Sequence, residues 1–212
     1  MKPTTTHTQQ SLEQRARSEL IEGSEVLRQT AECLSAGVAT VAAWMIETLR
    51  AGGKIMICGN GGSAADAQHF AAELVGRFRR ERPGWSALAL TVDASILTSL
   101  GNDFGFEQVF ARQVEALGRS GDILVAISTS GRSPNVLAAV EVAAALGIRT
   151  IGLTGAGASK LGKAVNLHLP IPSGNTAFIQ QGQMAVLHAL CELIEDQLTN
   201  DTPPLPGKIG QQ

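Results

Sequence analysis

Apolar and polar positions along the chain follow two alternating patterns. Residues 55–58, 85–90, 122–127 and 149–153 are short, nearly continuous apolar runs, the mark of strands covered on both faces. Residues 165–170 alternate instead, as an edge strand does, and Pro170 closes the run. Between these runs the apolar positions recur at helical spacing. They predict helices over 64 to about 78, 93–100, 106–117 and 136–146, a brief helical piece at 161–164 and a long last helix over 177–198. Gly101, Asn102 and Asp103 read as the close of the helix opened by Asp93, and Pro134 suits a first helical position. Residues 79–84 form a charged turn. Ahead of the first strand, residues 9–29 and 31–50 read as two amphipathic helices, the second ended by Gly52 and Gly53.

Strand alternating with helix predicts an α/β fold: a parallel sheet with helices on both faces and ligands at the carboxyl ends of the strands. Residues 1–50 then form a helical appendage, either packed on another subunit or a simple helical cap, and residues 51–198 form the α/β domain. Residues 199–212, rich in proline and glycine, read as a disordered tail.

Two strand-to-helix turns carry the candidate chemistry. Gly59-Asn60-Gly61-Gly62-Ser63 needs left-handed backbone and close approach, and Ser63 is placed to cap the following helix. Free N–H groups and the positive end of a helix dipole converge there, which makes an anion site. Ser128-Thr129-Ser130-Gly131-Arg132-Ser133 offers hydroxyls, N–H groups and modest positive charge, so a sugar phosphate suits it. Such residues also simply cap helices. Two such turns opening on one sheet edge are the stronger signal.

The helix after the first turn carries Asp66, His69, Glu73 and Arg77 at spacings of three, four and four, which puts them on one face. A solvated stripe is the plain alternative. His69 and Glu73 can grip one cation between them. Gln180 and His188, on one broad face of the last helix, could complete a four-coordinate N and O set suited to zinc, although a glutamine oxygen is an unusual ligand. Taken alone, His188 reads as a packed core histidine, and His168 as a surface or packing residue.

Composition narrows the class. A net charge of −2 and a scarcity of aromatics, with no tyrosine, leave no nucleic-acid footprint. No apolar run reaches membrane-spanning length, and the polar first ten residues do not resemble a signal peptide. A cytoplasmic protein is expected, with neither nucleic acid nor membrane as partner. Cys33, Cys58 and Cys191 are widely spaced in apolar surroundings and read as buried free thiols.

Cys58-Gly-Asn-Gly-Gly-Ser-Ala-Ala-Asp-Ala-Gln-His-Phe-Ala-Ala-Glu73 resembles the phosphoheptose isomerase family, the sedoheptulose 7-phosphate isomerases of the sugar-isomerase (SIS) fold. Leu100-Gly-Asn-Asp-Phe-Gly-Phe106, Ile127-Ser-Thr-Ser-Gly-Arg-Ser133, and Asn175-Thr-Ala-Phe-Ile-Gln180 with His188 are similar to the same family in the same order. The resemblance spans about Gly52 to Leu198. It implies a flavodoxin-like three-layer sandwich. It implies conversion of D-sedoheptulose 7-phosphate to D-glycero-D-manno-heptose 7-phosphate through an ene-diol, toward nucleotide-activated heptose for surface polysaccharide. It also implies one Zn2+ per subunit at His69, Glu73, Gln180 and His188, with Glu73 and His188 as the acid–base pair. Implied substrate contacts are Asn60, Gly61, Gly62, Ser63, Arg77, Asn102, Asp103, Ser128, Thr129, Ser130, Ser133 and Gln180. The implied assembly is a homotetramer whose sites draw on neighbouring subunits, which would employ the N-terminal helices.

Three positions depart from the family pattern. Where the family commonly has a basic residue, then Ile-Gln-Glu, then a histidine two residues on, this chain has Phe178, Gln181 and Gln183 at the variable places. The changes sit at the mouth of the last helix and bear on substrate scope and pH optimum. Two other readings stay open: a non-catalytic scaffold like the family's regulator of replication initiation, and an isomerase or sensor of another sugar phosphate. Glu73 beside His69 weighs against the scaffold, which has no use for that carboxylate.

Overall fold

A computed structural model describes residues 11–199. The chain runs α1 (Leu12–Arg50), β1 (Ile55–Gly59), α2 (Gly62–Val75), β2 (Ala87–Ala89), α3 (Ala94–Phe104), a 3-10 turn (Phe106–Gln108) and α4 (Ala111–Leu117). It continues through β3 (Ile123–Ile127), α5 (Pro134–Ala145), β4 (Arg149–Thr154), α6 (Lys160–Ala164), β5 (Leu167–Pro170) and α7 (Thr176–Thr199). The strands form one parallel sheet of order β2-β1-β3-β4-β5, with β5 at an edge. That is the doubly wound order whose switch point, and hence ligand crevice, lies between β1 and β3. Those strands pair from Ile55↔Ile123 to Gly59↔Ile127, so both glycine turns leave the sheet side by side.

Alternation along each strand builds the layers. Ile55, Ile57, Ile123, Val125, Ile127, Ile151 and Leu153 pack in one core with α1, α2 and α7. Met56, Cys58, Leu124 and Ala126 pack in the other with α4, α5 and α6. Fully buried side chains such as Phe70 and Leu74 each contribute about 1.5–3 kcal/mol. They pin α2 through the residues beside its polar stripe.

The helical appendage is one helix, not two. No glycine or proline interrupts residues 29–31, and Thr30 Oγ1 donates to the Val26 carbonyl at 2.7 Å, so the turn closes on itself. By length and composition α1 could cross a membrane. Its buried positions, Val26, Leu34, Val38, Val41, Met45 and others, instead belong to the core shared with α7. The helix opened by Asp93 runs past Gly101, Asn102 and Asp103 to Phe104, because the left-handed residue that stops it is Gly105 (φ +85°). The helix expected over 106–117 splits into the 3-10 turn and α4. Cys58 and Cys191 are buried, and burial pushes both thiols up to about 12. Cys33, in contrast, is exposed on α1. The tail expected over 199–212 lies outside the described residues, save Thr199.

Candidate active site

The first turn is built on glycine geometry. Gly61 (φ +57°) is the N-cap of α2, and no side chain caps the helix. Ser63 is therefore not the cap; it lies buried in the first turn, its N–H donating to the Asn60 carbonyl at 3.1 Å. A Cβ on Gly59 would sit 2.8 Å from the Ser63 carbonyl oxygen, so only glycine lets α2 start this close to β1. The second turn is closed by the Ser128 and Ser133 hydroxyls, 2.9 Å apart, and by Gly131 (φ +60°). A cleft of about 270 Å³ opens beside it, lined by Thr129, Ser130, Arg132, Ser159, Ser173 and Thr176 among others.

Asn135 ties the two turns together. Its amide and that of Asn60 exchange two hydrogen bonds, at 2.9 and 2.8 Å, and Asn135 is buried. The crossing of two side-chain amides between neighbouring strands' turns is not readable from sequence spacing.

Deeper along α2, three side chains meet. His69 Nε2 lies 3.1 Å from Glu73 Oε1 and 3.2 Å from His188 Nε2 on α7. The two imidazoles stand edge to face, and the Phe78 ring lies 5.5 Å from that of His188. One proton on His69 Nε2 can serve only one of its two contacts. A cation drawing on all three lone pairs satisfies both, and ligands of tetrahedral zinc at about 2.0–2.1 Å stand about 3.3 Å apart, close to these spacings. Among the described residues no group of three or more His, Cys, Asp or Glu is disposed to hold a metal ion as it stands; what they provide is two spacings of ligand length that share His69. Asp66 lies beside this group. Burial pushes its carboxyl up, against the pull of His69, and its Oδ2 is buried without a hydrogen-bond partner among the described residues.

Behind the pair lies a buried ion pair that sequence reading missed. The Glu195 side chain on α7, fully buried, accepts from the N–H groups of Phe78, Arg79 and Arg80 at 3.1, 2.7 and 2.9 Å and from Arg82 Nε at 3.0 Å. Arg82 stacks over Trp85 and donates to the carbonyls of Glu73, Leu74 and Gly76. It thus covers the carbonyls that α2 leaves unpaired at its end. The available signal was an acid at helical spacing from Cys191, Ile194 and Leu198, opposite an arginine in an otherwise ordinary charged turn. Burial alone would raise the Glu195 pKa, but the three N–H bonds and Arg82 outweigh it and hold the carboxyl below its usual range. A depressed folded pKa stabilises above the unfolded value and loses that contribution as pH falls through the folded one. The melting temperature is therefore expected to drop as pH falls below about 4.5. Glu195→Gln should flatten that dependence in thermal melts against pH.

The SIS domain family model matches residues 21–155, from within α1 to the end of β4. The chain is 54% identical over 174 residues to the phosphoheptose isomerase of Roseiflexus sp. (strain RS-1), covering 82% of this chain and 88% of that one. This chain belongs to the phosphoheptose isomerase family. The structure of phosphoheptose isomerase GmhA from Neisseria gonorrhoeae matches at TM-score 0.83 and 41% identity, over 88% of this chain and all of the other. A phosphoheptose isomerase from Francisella tularensis matches at TM-score 0.85 and 39% identity, with the same coverage.

Within this phosphoheptose isomerase family member, the remaining expected site residues fall in different places. Among the described residues Gln180 makes no hydrogen bond to His69, Glu73 or His188; its amide rests on Gly62 at the start of α2. Arg77 is not on the α2 stripe, because the helix ends at Val75 and Gly76 caps it; Arg77 is exposed beyond. Asn102 and Asp103 are exposed on α3, bonded to each other at 2.7 Å. Phe178 and Gln181 turn away from the site and pack on Gly23 of α1. Gln183 is fully buried, its amide donating to the Leu153 carbonyl at 3.2 Å. The three departures from the family pattern thus lie in packing against α1 and the sheet, not at the mouth of the site.

Proposed function

We propose that this chain interconverts D-sedoheptulose 7-phosphate and D-glycero-D-manno-heptose 7-phosphate as an aldose–ketose isomerase. The observation that carries the reading is the meeting of Glu73 and His188 around His69, where α7 packs on the helix that follows β1 at the sheet's switch point. Moving a carbonyl from C2 to C1 needs one base to take the C1 proton and return it to C2. It also needs a second group to carry a proton between O1 and O2. Glu73 takes the first role, through the carboxylate oxygen that His69 leaves free. His188 takes the second. The serine turn, with its hydroxyls and N–H groups, holds the distal phosphate, and this anchoring keeps C1 and C2 within reach of Glu73.

His69, Glu73 and His188 would hold a divalent cation such as zinc, with Gln180 as a fourth donor after a side-chain rotation; a lone pair on the ion is not a free base, so Glu73 and His188 would exchange off it to move protons. When bound, the ion supplies Lewis-acid stabilisation of negative charge at the sugar oxygens. Asn102 and Asp103 reach substrate from a neighbouring copy in a homotetramer. Support for such an assembly lies in exposed apolar side chains: Leu12, Leu20 and Ile21 on α1, and Val92, Phe104 and Phe106 around α3, which buries none of its residues.

The decisive experiment follows sedoheptulose 7-phosphate with the purified protein by NMR. Appearance of the heptose 7-phosphate is the expected result, and its absence under saturating substrate and metal overturns the reading. Gly62→Ala provides a second check. The new Cβ would overlap the Gln180 amide, the far end of a flexible side chain, so the fold gives way cheaply while Gln180 is expelled. The melting temperature should hold while kcat/KM falls, because Gly62 and Gln180 are both expected substrate contacts.

A further inference from the structure

We propose that Arg82 and Glu195 are positioning residues of the isomerisation: together they lock the end of α2 against α7 and so set Glu73 opposite His188. The inference rests on the roles given above to those two residues. Glu195 lies seven residues beyond His188, two turns along the same helix and on the same face. From its one carboxylate, two chains of contact lead back to the acid–base pair. Through Arg82, whose Nη2 donates to the Glu73 carbonyl at 2.7 Å, it reaches the backbone of the base. Through the N–H of Phe78, whose ring stands 5.5 Å from the His188 ring, it reaches the other partner.

The chemistry of the pair fits this role better than simple adhesion. Stabilisation alone is served as well by apolar side chains, because a buried ion pair must first lose its hydration. Here the Arg82 and Glu195 side chains, 1% and 0% exposed, direct most of their bonds at backbone groups between Glu73 and Pro83. Directional bonds to backbone fix where a helix end sits, which apolar packing does not do to the same tolerance. A displacement of about 1 Å in a reacting group can cost about 100-fold in rate.

The test compares steady-state kinetics of wild type, Glu195→Gln, Arg82→Lys and Val41→Ala. Val41 is a buried α1 residue of the core shared with α7 that makes none of the Arg82 or Glu195 bonds, and its truncation lowers stability while leaving those bonds in place. Glu195→Gln and Arg82→Lys should each lose about 10- to 100-fold in kcat, with KM within about 3-fold of wild type. Val41→Ala should keep wild-type kcat despite a lower melting temperature. Equal kcat per folded molecule in wild type and both strut variants overturns the proposal. Should Glu195→Gln fail to fold, Arg82→Lys decides, since it keeps the buried charge but cannot span the same carbonyls. A wild type without turnover overturns the functional reading and this inference with it; normal wild-type turnover with unaffected variants overturns this inference alone.

Discussion

Glu73→Gln is expected to lower kcat for sedoheptulose 7-phosphate by about 1000-fold, within the range that general acid–base groups supply. The substitution changes charge and almost nothing else. Glu73 lies on the last turns of α2 with its side chain about three-quarters buried, and glutamine fills the same space. The Arg82 bond is to the backbone carbonyl of residue 73 and survives. What disappears is a carboxylate able to take a proton from carbon. The melting temperature should stay close to wild type, and incorporation of solvent deuterium at C1 and C2 should vanish together with turnover. A well-folded Glu73→Gln protein isomerising at the normal rate would remove this residue from the proton path.

Removal of metal by chelation is expected to lower turnover at least about 100-fold, since a Lewis acid contributes several kcal/mol to such a transition state. Zinc added back should restore it. The fold should survive the treatment. The α2–α7 contact is held by the core around Phe70, Leu74, Leu187 and Cys191 and by the Arg82–Glu195 pair, not by the histidines alone. Atomic absorption should find about one ion per chain in the active protein, and fewer in His69→Ala. Full activity in rigorously metal-free protein would show that the His69 spacings serve hydrogen bonding only.

Much of this architecture is legible in the sequence, for a physical reason. Strands covered on both faces leave continuous apolar runs, and β1, β3 and β4 are close to those expected. Pro134 marks the first residue of α5, and Ser128–Ser133 closes as a turn. The misreadings share a cause of their own. Residue type reports local preference, while Ser63, Thr30 and Gly101 are governed by neighbours: a left-handed Gly61, a side-chain bond within the helix, and a later stop at Gly105. Spacing could suggest that His69, Glu73 and His188 meet, yet it could not place the Gln180 amide against Gly62. Nor could it reveal the Asn60–Asn135 amide exchange or the reach of Glu195 across to residues 78–82. Those depend on tertiary distances that leave no periodic trace.

The single helix α1 has a consequence for how this molecule behaves in dilute solution. Thirty-nine residues make a rod of about 58 Å, whereas a domain of some 150 residues is about 40 Å across. The first eleven residues of the rod, ahead of Gly23, overhang the body with their leucines and isoleucine in water. An isolated helix end of that length is not self-sustaining. Its persistence is then expected to depend on protein concentration: hydrogen exchange in residues 12–22 should quicken on dilution while exchange in the sheet stays unchanged.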